Sequence, residues 1–169
     1  MIDINTIQAA LHAWAVRASA LPTASVIWAD QNGPVPDAPC LILRFLSIDS
    51  TGQDWVKSSY TALGGLVETV CGLRNAELEV KCFGNAVGAQ MPSMILDSLI
   101  QARWQTSHQE DFEAASIGIN DHSQVIASSG FEDSQQEPVA QCTFSQTLVS
   151  EQSENVGWID TIETPLQTA

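Results

Sequence analysis

Apolar residues near the start of the chain repeat at helical spacing. Five of them recur at three- and four-residue steps: Ile4, Ile7, Leu11, Trp14 and Ala18. This spacing predicts an amphipathic helix with one apolar stripe. We expect the helix to span residues 3–21, with Asp3 or Asn5 as its N-cap and Pro22 as its end.

Short β-rich runs follow this helix. Residues 25–29 predict one strand and Cys40–Ile48 a second strand. The run "CLILRFLSI" is apolar on both faces apart from Arg44, which is typical of a central strand. The polar segment Asp49–Ala62 predicts a long loop or an extended arm.

Two further runs, "LGGLVETVCGL" and "AELEVKCFG", predict a hairpin joined by Arg74-Asn75. In the second run Leu78, Val80 and Cys82 alternate with charged residues. Period-two alternation places these three side chains on one face of a strand.

The second half of the chain predicts two helices and then strands. One helix begins near Pro92, and "TSHQEDFEAAS" predicts a short helix capped by Thr106 or Ser107. Strands are expected in "SIGIN", "QVIAS", "VAQCTFSQTLV" and "ENVGWIDTIE", with a polar loop "FEDSQQEP" among them. Strands and helices in separate blocks indicate an α+β fold, a mostly antiparallel sheet flanked by two or three helices.

Length and charge narrow the function classes. The 169 residues fit a single domain, 1–169. Twenty acidic residues face six basic ones, for a net charge of −14, and no Lys or Arg follows Arg103. Such a chain is not expected to grip phosphate backbones or anionic membranes. No signal peptide or membrane span is predicted.

Candidate catalytic and metal-binding residues form no known pattern. The three histidines, His12, His108 and His122, stand at no metal-ligand spacing. The four cysteines lie far apart in apolar runs and predict buried structural thiols. The carboxylates of "HQEDFE" favour a solvated helix start over an ion site. We therefore expect no catalytic residue, metal or cofactor.

The stretch from Asp30 to Pro39, here called the proline link, lies between two predicted buried strands. Pro34, Pro36 and Pro39 restrict the backbone, and Asn32-Gly33 is typical of a turn. The link is thus ordered before any partner arrives, which lowers the entropy cost of binding. Two interpretations stay open: a preordered binding loop, or a rigid connection within one sheet.

The link also resembles a known signature. "VIWADQNGPVPDAPCLILRF" is similar to the "VIWADQNAPRPxxPYxxLR" stretch of tailed-phage neck or tail terminator proteins. The preceding helix with its Trp, the "NAELEVKCFG" strand before a helix, and the closing "EQSENVGWIDTIE" agree in order with that family. Gly33, Val35 and Cys40 depart from it.

The resemblance implies a structural role in the virion and a tail-terminator-like α+β fold. It implies a ring, expected to be a hexamer, that caps the tail tube and gives the head a docking surface. The implied partners are further copies of the chain, the tail tube protein and a neck or head-completion connector. It also implies that DNA passes through the lumen without specific binding and that assembly takes place in the host cytoplasm.

For such a ring the interface candidates come from the proline link, the segment Asp49–Ala62 and the aromatic residues. They are Trp28, Asp30, Gln31, Asn32, Pro34, Pro36, Trp55, Tyr60 and Trp158. Aromatic residues are enriched at interface cores. The polar neighbours of Trp55 favour a position in an interface. For Trp28 and Trp158 the alternative is a position in the core of the subunit.

Three other functions stay open on the sequence. The chain fits a neck adaptor on the head side equally well. A small metal-dependent enzyme would use the "HQEDFE" carboxylates. A stand-alone binding module would be a monomer without a tail phenotype.

Overall fold

The computed structural model describes residues 3–31, 33–61, 65–84, 91–132 and 135–157. In this part of the chain the helices are α1 Ile4–Ser19, α2 Pro92–Ala102 and α3 Thr106–Ala114. The strands are β1 Val26–Trp28, β2 Cys40–Ser50, β3 Trp55–Tyr60, β4 Leu66–Phe83, β5 Ile117–His122, β6 Ile126–Glu132 and β7 Gln135–Gly157.

All seven strands belong to one sheet with the order β1-β2-β4-β7-β5. β3 pairs with the beginning of β4, and β6 pairs with the beginning of β7. β1 and β2 run parallel, whereas the other described pairs are antiparallel. The predicted α+β fold with a mostly antiparallel sheet is therefore confirmed.

The first helix forms where the apolar stripe predicts it. The carboxylate of Asp3 caps its start by accepting hydrogen bonds from the backbone N–H groups of Asn5 and Thr6, at 3.1 and 3.3 Å. Ala20 ends the helix in the left-handed conformation, two residues before Pro22. The stripe turns toward the sheet and buries Ile7, Leu11, Trp14 and Ala15.

The core lies between the helices and one face of the sheet. Leu78, Val80 and Cys82 of β4 are fully buried on this face, as their alternation predicts. Trp14 of α1 contacts Phe112 and Phe144 edge to face, at centroid distances of 5.7 and 5.3 Å. These three rings connect the first helix, the third helix and the centre of the sheet.

The predicted hairpin at Arg74-Asn75 is wrong. Both runs belong to the single 18-residue strand β4. Arg74 pairs with Ser50 on one side and Leu148 on the other. Because β7 pairs with β4 on both sides of this point and β2 pairs with β4 as far as Arg74, the ladder keeps the backbone extended through a pair that has no strong turn chemistry.

The end of the chain is also more continuous than predicted. "VAQCTFSQTLV" and the start of "ENVGWIDTIE" form one 23-residue strand, β7, while residues 158–163 lie outside the described part. The predicted loop at 131–138 is wrong, because β6 and β7 pair there as far as Glu132 and Gln135. Polar strands of this kind form when the ladder satisfies the backbone and the faces are solvated.

Two smaller predictions also differ. α3 begins after Gln105, and neither Thr106 nor Ser107 caps it. β2 lies inside the sheet as expected, yet only its first half is buried, and Leu46 and Ile48 are exposed. The apolar run therefore extends beyond the part that the helices cover.

Candidate assembly surface

Three strand segments continue beyond the core and form what we call the β-arm. It consists of β3, residues 66–71 of β4 and residues 151–157 of β7. In register, Trp55 of β3 faces Cys71 of β4, which faces Glu151 of β7. The buried core cluster ends at Ala76 in β4 and Leu148 in β7, so the β-arm is held by backbone pairing more than by burial.

The β-arm exposes apolar side chains on both faces. Tyr60 is 79% exposed and Val56 is 59% exposed, and Val56 lies directly opposite the exposed Val70. On the other face Leu73, next to the β-arm in β4, lies opposite the half-exposed Val149. Contiguous exposed apolar groups of this kind mark interaction surfaces.

An ion pair clamps the turn between β2 and β3 onto the base of the β-arm. Asp54 accepts two hydrogen bonds from the Arg74 guanidinium, at 2.7 and 2.9 Å. The backbone N–H and the hydroxyl of Thr51 both donate to the carbonyl of Leu73, at 3.2 and 2.9 Å. The pair lies over Gly72, where an added Cβ would stand 2.1 Å from the Asp54 carboxylate. Glycine is therefore required for the clamp to close.

We expect Gly72→Ala to open this clamp without unfolding the core. The added methyl group displaces the Asp54 carboxylate, which is the mobile end of an exposed side chain, and separates it from Arg74. Hydrogen exchange at the Thr51 amide should become faster. The matched control is Gly118→Ala in β5, because a Cβ there has its nearest neighbours at 3.8 Å. Equal exchange at Thr51 in both variants would contradict the clamp.

The clamp should also open at low pH. Hydrogen bonds from Arg74 hold the pKa of Asp54 below its ordinary value of 3.8. A carboxylate whose pKa is lowered by folding stabilises the fold above its unfolded pKa and loses this effect as the pH falls through the folded pKa. Protection of the Thr51 amide should thus be constant down to about pH 4 and decline below it. Asp54→Asn should remove the pH dependence, and loss of protection already near neutral pH would exclude this cause.

The proline link connects two parallel strands of the same sheet. Two parallel strands that follow each other need a connection that runs back from the end of the first strand to the start of the second. The proline link makes this connection, from the end of β1 at Trp28 to the start of β2 at Cys40. The backbone N–H of Gln31 donates a hydrogen bond to the carbonyl of Trp28 at 3.1 Å. Asp30, Gln31 and Pro34 are exposed, and Pro36 is half-buried. The proline link can therefore be both a rigid connection within one sheet and an exposed binding loop.

The aromatic candidates separate into core and surface. Trp28 is buried and stacks on Phe45 with a centroid distance of 5.3 Å, so it has little surface left for another subunit. Trp55 and Tyr60 are exposed on the β-arm. Asn32 and Trp158 lie outside the described residues.

The side chains considered for catalysis are engaged in hydrogen bonds, core burial or an ion pair within the fold. His12 hydrogen-bonds the carbonyl of Val26 through Nε2 at 2.8 Å. Burial lowers the pKa of His108 and raises the pKa of the Cys82 thiol to about 12, which keeps that thiol protonated at neutral pH. In the "HQEDFE" segment Asp111 pairs with Arg17.

Two properties of the described part of the chain concern metal binding and membrane insertion. No three His, Cys, Asp or Glu side chains come together there to hold a metal ion. None of the helices found in that part of the chain is long and apolar enough to cross a membrane.

Comparison with protein families matches the phage neck terminator protein across residues 5–168. The chain belongs to this family. The predicted family membership is thereby confirmed for nearly the whole sequence. Comparison with curated proteins gives no match.

Membership of the neck terminator family assigns the chain to the structural proteins of the phage neck. It is therefore a virion component that contacts other head or tail proteins. That the exposed β-arm and the proline link make such contacts stays a prediction.

Sequence reasoning missed several apolar members of this surface. Val56 and Val70 lie opposite each other across β3 and β4, and Leu73 lies opposite Val149 across β4 and β7. The alternation in "WVKSSY" is a weak strand signal that could have identified β3. The cross-strand partners depend on register, which the single sequence does not reveal.

Proposed function

We propose that this neck terminator closes the end of the tail tube as a ring of six copies and gives the head its docking surface. In this proposal the whole chain, 1–169, acts as one subunit. It is added in the host cytoplasm, ends tube growth, and contacts the tail tube protein below and a neck or head-completion connector above.

The observation that carries the proposal is the β-arm, with exposed apolar side chains on both faces. A ring requires a heterologous interface, in which one patch of each subunit meets a different patch of the next. Tyr60 and Val56 supply apolar area on one face, and Trp55 supplies it on the other. A segment that exposes apolar side chains on both faces gains most when neighbouring subunits cover these side chains on both sides.

The acidic composition fits a channel through which DNA moves. With twenty acidic residues and only six basic ones, the chain has few cations for phosphate contacts, which supply most non-specific binding. We propose that the net negative charge of the subunits faces the channel and lets DNA slide without adhering.

We expect ring formation to strengthen with salt or magnesium. Six copies at −14 each bring the formal charge to −84, so the subunits repel one another. Between about 0.01 and 0.15 M ionic strength the screening length falls from about 30 to about 8 Å. Sedimentation of the purified protein with tube ends should show more bound protein at the higher ionic strength. A bound amount independent of salt and magnesium would contradict the repulsion.

The proposal is tested by locating the protein on growing tubes. Purified tube protein is polymerised with and without gold-labelled terminator and examined by electron microscopy. We expect label at one end of each tube and shorter tubes as more terminator is added. Label on isolated heads, with tube lengths unchanged, would instead favour the head-side adaptor.

A further inference from the structure

Among the described strands, none pairs with the outer edge of β3. Within the described part of the chain β3 pairs with β4 alone, and all six of its residues, Trp55–Tyr60, are exposed. A free edge offers a row of backbone donors and acceptors to any strand that can lie beside it. β1 is also an edge strand, but it has only three residues.

The opposite edge of the β-arm offers a matching strand. Gln152–Glu154 of β7 pair with Glu68–Val70 of β4 on their inner side. On the outer side of β7, pairing with β5 ends at Leu148, and pairing with β6 lies farther back, at residues 135–141. Among the described strands none lies beside Gln152–Glu154 on that side.

The directions of the strands determine how two copies would join. β3 is antiparallel to β4, and β4 is antiparallel to β7, so the two edges of the β-arm run in the same direction. Copies related by rotation about a ring axis keep the same strand direction along that axis. A junction between β3 of one copy and β7 of the next is therefore parallel.

The charges on the two edges are complementary. Lys57 pairs in register with Thr69, and Thr69 pairs with Ser153, so these three side chains lie on one face of the sheet. Glu151 lies on the same face, because it precedes Ser153 by two residues in β7. Lys57 is exposed and makes no ion pair with another described residue. A lysine on an edge strand discourages random pairing. A neighbouring edge that contains carboxylates removes this obstacle for the correct partner only.

We propose that β3 of one copy pairs in parallel with residues 152–154 of β7 in the next copy, so that the β-arms close into a barrel. This proposal rests on the ring of the proposed function. Six β-arms of three strands make eighteen strands. At a spacing of about 4.8 Å and a tilt of about 40°, the backbone diameter is about 36 Å, wider than a DNA duplex.

Cysteine cross-linking tests this junction directly. Ser58 and Glu154 both pair with Glu68, one on each side. They are therefore two strand spacings apart within one chain, roughly 9.6 Å. This exceeds the limit of about 7 Å between Cα atoms for a disulfide. In Ser58→Cys/Glu154→Cys, a disulfide can consequently form only between copies.

We expect oxidised tails containing Ser58→Cys/Glu154→Cys, or Ser58→Cys/Gln152→Cys if the register is shifted, to give a ladder of covalent oligomers up to the full ring. Each single cysteine variant should give no species beyond a dimer. The matched control is Ser98→Cys/Glu154→Cys, because Ser98 is exposed on α2, outside the β-arm. A ladder in this control equal to that of the arm pairs would mean random collision and would overturn the junction.

The two proposals fail in different ways. If the terminator is present in tails at wild-type amounts and neither arm pair gives a ladder, the edge junction is wrong while the ring stands. If wild-type protein is absent from purified tails, the proposed function is wrong, and the junction with it.

Discussion

Replacing Val56 and Tyr60 by serine is expected to leave the chain folded and to block completion of the tail. Both side chains are mostly exposed, so the free subunit loses little burial. In the proposed ring we place both side chains at every junction, where a buried anchor contributes about 2 kcal/mol or more. Since 1.4 kcal/mol is a factor of ten, the titre of phage with this double variant should fall at least about 100-fold.

The control for this variant is Met94→Ser on α2. Met94 is 53% exposed, similar to Val56, and lies outside the β-arm. We expect its titre to stay within a few-fold of wild type. Thermal unfolding of both purified variants should be close to that of the wild type. Equal loss of titre in both, or a large loss of stability in the arm variant, would contradict an assembly role for the β-arm.

Trp14→Ala is expected to cause the largest loss of stability. Trp14 is fully buried and contacts Phe112 of α3 and Phe144 of β7. Removing a buried Trp costs about 3–5 kcal/mol, which is a large part of the 5–15 kcal/mol that stabilises a typical domain. Urea unfolding should therefore show a strongly lowered midpoint, with α1 detaching from the sheet.

The matched control is Trp104→Ala. Trp104 is 65% exposed and its ring lies under the Arg103 guanidinium, at 4.7 Å. We expect a change in the free energy of unfolding of at most about 1 kcal/mol. Similar midpoints for the two variants would mean that Trp14 is not central to the core.

The elements that are predictable from the sequence are those whose apolar residues repeat at the period of the buried face. The stripe of Ile7, Leu11 and Trp14 predicted α1, because only a helix places such residues on one side. The alternation of Leu78, Val80 and Cys82 with charged residues predicts a half-buried strand, because side chains two residues apart lie on the same face of a strand. Both predictions are confirmed because local periodicity and tertiary packing require the same arrangement.

The errors occur where tertiary pairing decides the structure. Arg74-Asn75 appeared to divide β4, yet the strands on both sides keep it extended through that point. β3 was predicted as a loop or an extended arm, because "WVKSSY" has no buried side that the pattern could record. Such a strand exists through its pairing with β4, and pairing partners are not visible in one sequence.

The candidate site was predictable in part. The polar neighbours of Trp55 and the position of Tyr60 in the segment Asp49–Ala62 favour exposure, and the structure exposes both. Trp28 belongs to the family signature but is buried, since β1 lies against β2 and its ring stacks on Phe45. The proline link had two interpretations, and the parallel pairing of β1 and β2 explains its stiffness as a return connection. Its role as a binding surface stays a prediction.

The central claim is that this neck terminator stops tail growth. The most direct measurement is the length of tail tubes, by electron microscopy, in lysates of a phage that lacks this gene. We predict unattached tubes longer than those of the wild type, because nothing closes their ends. Tubes of normal length beside filled heads without tails would contradict the claim and assign the protein to the head side of the neck.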